Sequence, residues 1–130
     1  MNREQAINTY LEQLEKANYD AMVKLFDPKA TINSPFFGKT DVMNTYKKLF
    51  SHVKSFKVEN LNLFEHLKNP DCMTIHFLCT WTFYDGTVVK ADCVNVFEFV
   101  SKSEKIKALT SLYDTSKMPK YSEKAMRKSA

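Results

Sequence analysis

The dipeptide Asp85-Gly86 stands between two long runs rich in β-branched and aromatic residues, Cys72 to Tyr84 and Thr87 to Val100. Asp-Gly between such runs is a strong local signal for a β-hairpin, because both residues tolerate the positive φ that a tight turn needs. A two-residue turn here sets Tyr84 opposite Thr87. Period-two geometry then assigns every side chain to a face. One face carries Thr82/Val89, Thr80/Ala91, Leu78/Cys93 and His76/Asn95. The other carries Phe83/Val88, Trp81/Lys90, Cys79/Asp92, Phe77/Val94 and Ile75/Val96. The first face is small and polar, the second large and apolar.

The remaining chain supplies cover for one face of this sheet. Ala6, Ile7, Tyr10, Leu11, Leu14 and Ala17 recur at helical spacing, and Asn2 with Gln5 reads as a capping box. Tyr19 to Phe26 is expected as a second helix, ended by Asp27-Pro28. Ala30 to Asn33 reads as a short strand and Pro35 to Gly38 as a loop. Thr40 is expected to cap a third helix, with Asp41 in its first turn and Val42, Met43, Tyr46, Leu49, Phe50 and Val53 inward. From Ser55 the period is two. Phe56 and Val58 differ in parity from Leu61 and Leu63, so a bulge is expected near Glu59-Asn60. Lys105 to Tyr113 is the last strand. The order is helices, strand, helix and a four-strand meander.

Which sheet face meets the helices decides where a pocket lies. Small residues beneath helices leave room for a ligand. That places Thr80, Thr82, Cys93, His76 and Asn95 inward, and leaves the apolar face of Phe77, Trp81, Phe83, Val94 and Val96 for a two-fold contact with a second copy. The alternative is an ordinary core of Trp81 and Phe77, with the threonines in solvent.

Composition removes several classes. With 130 residues the chain is long enough for one core. Only 2 glycines occur, and no phosphate-cradling glycine pattern is present. The three cysteines form no C-x-x-C pair, and His52, His66 and His76 share no metal-ligand spacing, so no metal or other cofactor is expected. Free thiols, with no apolar leader or membrane-length apolar run, suit the cytoplasm and give no reason to expect a membrane partner. The net charge of +4 equals that of residues 117–130, where Lys117, Lys120, Lys124, Arg127 and Lys128 face only Glu123. A neutral body with a basic, solvated tail gives no basic groove for nucleic acid.

The run from Tyr19 through Leu25-Phe26-Asp27-Pro28-Lys29-Ala30-Thr31-Ile32-Asn33-Ser34-Pro35 to Gly38 resembles the ketosteroid-isomerase-like and SnoaL-like families of the nuclear transport factor 2-like superfamily. So does the C-terminal end, Phe97-Glu98-Phe99 to Leu109-Thr110-Ser111-Leu112-Tyr113-Asp114. The resemblance covers about residues 5 to 115. It implies an α+β fold in which three N-terminal helices pack on a strongly curved, mixed, mainly antiparallel sheet (a cone-shaped α+β barrel of cystatin-like topology). The domain is expected over 1–116, followed by the basic tail 117–130.

The resemblance also implies site residues. In ketosteroid isomerases a tyrosine and a protonated aspartate hold an enolate oxygen, and a second aspartate moves the proton. Tyr10 and Asn95 stand where the first two would be, and an amide N–H donates as a protonated acid does. Ser34 stands where the proton-moving aspartate belongs, and a serine has no basic group. His76, across from Asn95 in the expected register, and Asp114, at a position where SnoaL-like cyclases resemble it, are the replacement acid/base candidates. The expected pocket lining is Leu14, Ser34, Phe50, Leu78, Thr80, Cys93, Phe97, Leu109 and Tyr113. The expected ligand is a small apolar molecule. The expected activity is isomerisation, cyclisation or dehydration of a carbonyl compound through an enolate. The alternative is a non-catalytic ligand-binding or interaction module.

Overall fold

A computed structural model describes residues 1–120. Helix α1 spans Arg3–Lys16, α2 Tyr19–Val23 and α3 Val42–His52. The strands are β1 Phe26–Ser34, β2 Gly38–Asp41, β3 Val53–Glu65, β4 Cys72–Phe83, β5 Val88–Phe99 and β6 Ile106–Tyr113. They form one six-stranded sheet in the order β2-β1-β6-β5-β4-β3. All neighbours are antiparallel except β1 and β6, which are parallel. The sheet does not close on itself, so β2 and β3 are its edges. The architecture is thus the expected α+β one, with helices packed on a mixed, mainly antiparallel sheet. Among the described residues no helix is long and apolar enough to cross a membrane.

Local chemistry explains the elements. Asn2 Oδ1 accepts from the Gln5 N–H at 2.8 Å, and Gln5 Oε1 accepts from the Asn2 N–H at 2.8 Å, completing the capping box. Helix α1 ends where Ala17 takes a left-handed φ of 49°. Helix α2 is shorter than expected, and Phe26 already belongs to β1. Asp27-Pro28 does not end the helix. It sits in a stretch where β1 slips register against β6, between Phe26 and Thr31, and where proline's missing N–H takes no ladder bond away. Asp41, not Thr40, caps α3 and accepts from the Asn44 N–H at 2.8 Å. Met43 is 43% exposed, so the inward face of α3 is Val42, Thr45, Tyr46 and Leu49. The expected bulge in β3 is present: pairing to β4 slips between Glu59 and Asn62, and Asn60 has a φ of 54°.

The β4–β5 hairpin differs from the expectation by one residue. Its loop has three residues, Tyr84-Asp85-Gly86, and Phe83 faces Thr87 through Phe83 N–H to Thr87 C=O at 2.9 Å. Gly86 takes the left-handed φ of 92°, and the Thr87 N–H donates to Asp85 Oδ1 at 2.9 Å. An Asp-Gly pair serves a two-residue turn or the end of a three-residue loop equally well. The slip keeps β5 as expected but turns β4 over. Trp81 now pairs with Val89, Cys79 with Ala91, Phe77 with Cys93 and Ile75 with Asn95. All eight of these side chains are buried under the helices.

Two expectations fall with that slip. Phe77, Trp81 and Phe83 belong to the core, while Val94 and Val96 lie on the opposite, outer face. The five residues therefore make no common contact surface, and the apolar face that needed a second copy is already covered. Thr80, Leu78 and His76 also lie on the outer face.

The core draws Ala6, Ile7, Tyr10, Leu11 and Leu14 from α1 against the inner sheet face. Arg3 ties the start of α1 to the far end of the sheet. It donates to Asp71 Oδ1 at 2.9 Å, to the carbonyls of Pro70, Ser103 and Val100, and lies 5.0 Å from the centre of the Phe99 ring. The basic tail expected over 117–130 falls mostly outside the described residues. Of its described part, Met118 is buried in the core instead of solvated.

Candidate functional site

The site is built from one helix, one strand and their neighbours. Tyr10 lies on the buried stripe of α1, one turn before Leu14. Tyr46 holds the matching place on α3. Asn95 sits mid-strand on β5, on the inner face, and Ser111 is its ladder partner on β6. These four polar groups are joined in a chain. Ser111 Oγ donates to Asn95 Oδ1 at 2.8 Å, and Asn95 Nδ2 donates to the Tyr10 hydroxyl at 3.2 Å. The Tyr10 and Tyr46 hydroxyls share a bond of 2.6 Å. Tyr10 and Tyr46 are each 2% exposed, as is Asn95.

Counting protons shows what is left over. One hydroxyl proton lies between the two tyrosines, so the pair keeps one free O–H whichever way that bond is oriented. Asn95 keeps one free amide N–H. The network is therefore a site with spare donors, in surroundings that weaken each group's tendency to ionise. Burial pushes the Tyr10 hydroxyl far above its ordinary pKa, against a smaller lowering by its bond to Tyr46. Burial raises Tyr46 as well, and the proximity of Tyr10 adds to the rise.

A cavity adjoins the network. Its atom-free space is about 480 Å³ including the open mouth, of which about 40 Å³ is open to the centre of a water molecule. A single water needs about 10–15 Å³ of such space, so the enclosed part is small, and a ligand the size of one ring would also occupy the open mouth. The walls are Leu14, Ile32, Phe37, Leu49, Phe56, Phe77, Cys79 and Trp81, with Ser34, Thr45, Cys93 and Tyr113 beside the network residues. Among the described residues none of the lining side chains is Asp, Glu, His, Lys or Arg. Cys79 is no substitute: the Cys93 side chain beside it, and then burial, push its thiol far above the ordinary range. Tyr113 is raised chiefly by burial, tempered by the Phe36 backbone and Ser34.

Of the expected site residues, Tyr10 and Asn95 come together as anticipated. Leu14, Ser34, Cys93 and Tyr113 line the cavity. Phe97 and Leu109 are core residues behind it, with Phe97 edge-on to Tyr10 at 5.0 Å between ring centres. Phe50 is half-buried against Tyr46 and Phe56 instead of lining the cavity. Leu78 and Thr80 are excluded, because the hairpin slip turns them outward.

Both acid/base candidates lie outside this cavity. His76 lies on the outer face, where its Nε2 meets Asp92 Oδ1 at 3.1 Å. Asp114 follows the end of β6 as an exposed carboxylate. The Ser116 N–H bound to it at 2.9 Å holds its pKa below the ordinary value. Neither touches the cavity.

Tyr46, Ser111, Phe56, Phe77 and Trp81 are site residues that the sequence did not single out. For Tyr46 a signal existed. A tyrosine on the apolar face of a helix buries its ring and must find a partner for its hydroxyl. For Ser111 the signal was its place on the strand next to Asn95. For Trp81 and Phe77 the signal is the apolarity of their face, which the alternative of an ordinary core already reads; the hairpin register decides between the two.

Among the described residues no group of three or more His, Cys, Asp or Glu is placed to hold a metal ion. No family model matches the chain. No curated protein matches it in sequence. Solved structures do match it in fold. A proposed polyketide cyclase from Pseudomonas putida is 10% identical, with a TM-score of 0.75 over 88% of this chain and 92% of that one. A proposed isomerase from Bacillus subtilis is 12% identical, with a TM-score of 0.73 over 88% and 90%. A Catenulispora acidiphila protein of ketosteroid-isomerase-like fold, solved with trimethylamine, is 12% identical, with a TM-score of 0.74 over 88% and 89%. The chain has the nuclear transport factor 2-like fold that SnoaL-like and ketosteroid-isomerase-like proteins share.

Proposed function

We propose that this chain uses its nuclear transport factor 2-like fold to bind a small, uncharged, largely apolar carbonyl compound, without acid/base chemistry by its own side chains. One observation carries the reading. The cavity offers spare hydrogen-bond donors from the Tyr10–Tyr46 pair and Asn95, yet its described lining holds no carboxylate, imidazole or amine. A carbonyl oxygen accepts from such donors. A charged ligand meets no opposite charge there, and its desolvation is costly. Proton abstraction next to the carbonyl has no base within reach among the described residues.

That the similar structures include a proposed cyclase, a proposed isomerase and a protein solved with a small organic molecule supports the small-molecule pocket. The Tyr10–Asn95 bond supports a second, catalytic reading. The same donors stabilise an enolate, provided that the substrate brings its own basic group.

The test compares acetophenone with benzoate, which is of like size but charged, by calorimetry on the full chain. Acetophenone binds and benzoate does not. Replacing both hydroxyls, Tyr10→Phe with Tyr46→Phe, weakens acetophenone about tenfold, the worth of one good hydrogen bond. Equal binding of benzoate contradicts the reading. Turnover of an enone that carries an amine, lost in the double variant, moves the catalytic reading to first place.

A further inference from the structure

Among the described residues three buried side-chain polar atoms have no hydrogen-bond partner: Gln13 Oε1, Ser34 Oγ and Trp81 Nε1. Two of them belong to residues that line the cavity. Ser34 is 9% exposed and Trp81 4%. An indole N–H can only donate, and a donor buried without an acceptor is a standing loss of stability. Native chains rarely keep such groups without a use.

Neither atom bonds to the tyrosine–asparagine network. Trp81 packs on Tyr113 at 5.0 Å and on Phe56 at 5.2 Å between ring centres. Ser34, at the end of β1, lies beside the Tyr113 side chain. Tyr113 thus neighbours both side chains, and its polar contact with Ser34 leaves the Trp81 N–H as the donor with no partner at all among the described residues. The other cavity walls are mostly apolar and aromatic.

We infer that the cavity has two polar ends, and that its ligand is a flat, neutral, single-ring aromatic ketone with a second oxygen across the ring, a hydroxyaryl ketone. This rests on the reading of the cavity as a neutral carbonyl site. The carbonyl oxygen takes the spare donors of Tyr10, Tyr46 and Asn95. The second oxygen accepts from Trp81 Nε1 and meets Ser34 Oγ. The aromatic side chains Phe56 and Phe77 bury the ring between them. No charge is needed anywhere along the ligand.

The chain contains one tryptophan, so Trp81 gives the one indole N–H signal in a nitrogen-15 spectrum. The experiment titrates the full labelled chain with 4-hydroxyacetophenone and with 4-methylacetophenone, which has the same shape but lacks the second oxygen. Calorimetry gives the affinities. The hydroxy ketone is expected to bind on the order of tenfold tighter and to move the indole proton downfield, while the methyl ketone does not move it that way. Ser34→Ala and, separately, Trp81→Phe are each expected to shrink the affinity ratio between the two ketones by several-fold. The ratio reads the second end alone, because the carbonyl is common to both ligands. If both ketones bind equally and the indole signal does not distinguish them, the two-ended cavity is wrong and the carbonyl site stands. If neither binds, the carbonyl site itself is wrong, and this inference falls with it.

Discussion

Asn95 donates to the Tyr10 hydroxyl at 3.2 Å and so joins the middle of β5 to the buried face of α1. It is also held from behind, since its Oδ1 accepts from Ser111 Oγ at 2.8 Å. An amide fixed on both sides presents its remaining N–H in one direction. The group at the centre of the site is therefore a structural tie that keeps one N–H to offer a ligand, and the two roles can be separated.

Asn95→Leu removes the tie and leaves Ser111 without its acceptor, for a loss of about 1–3 kcal/mol in urea unfolding. Asn95→Asp keeps the shape and tests neutrality. A carboxyl in this uncharged, buried place has its folded-state pKa raised by desolvation. A raised value favours the folded state below the unfolded pKa, and that advantage disappears as pH rises through the folded pKa. The Asp variant should approach wild-type stability near pH 4 and fall behind it at pH 8, by roughly 1.4 kcal/mol for each unit of rise. A pH-independent gap between the two proteins contradicts the neutral site.

The tyrosines give a second pH test without mutation. Burial raises Tyr10, Tyr46 and Tyr113 above their ordinary value. Their contribution to stability is therefore complete below about pH 10, where the unfolded tyrosines are still protonated. It is lost as pH climbs towards the folded values, because the unfolded chain releases those protons first. Absorbance at alkaline pH should show three of the six tyrosines ionising only when the chain unfolds. A smooth ionisation of all six in a chain still folded by circular dichroism contradicts the buried network.

The hairpin register has its own test. Trp81→Ala removes a core indole packed on Phe56, Phe83 and Tyr113, and should cost about 3–5 kcal/mol. Thr80→Ala, one residue away on the outer face, should cost less than about 1 kcal/mol. His76→Ala should not change acetophenone affinity, since His76 meets Asp92 outside the cavity. The reverse order of the two stability losses contradicts the three-residue loop.

Where the signal is local, the chain is legible. Asn2 and Gln5 announce the first helix, and the change of parity between Val58 and Leu61 announces the bulge at Asn60. Asn95 and Tyr10 could be paired because the resemblance placed each of them on its own element. The failures come from one backbone choice. Asp85-Gly86 suits loops of two or three residues, and nothing nearby distinguishes them. The period of a strand is two, so that one-residue difference inverted all of β4. It moved His76 and Thr80 out of the pocket, brought Trp81 and Phe77 in, and removed the apolar face assigned to a second copy. Asp114 lies outside the cavity for a different reason. It is the first residue past the end of β6, where no ladder fixes the direction of a side chain.

The central claim is that the cavity grips a carbonyl oxygen by neutral donors. The infrared stretch of carbon-13-labelled acetophenone bound to the chain tests it most directly. The stretch should lie clearly below that of acetophenone in an alkane solvent and return towards the alkane value in the Tyr10→Phe, Tyr46→Phe double variant. A bound carbonyl that vibrates as it does in alkane, in the wild-type chain, contradicts it.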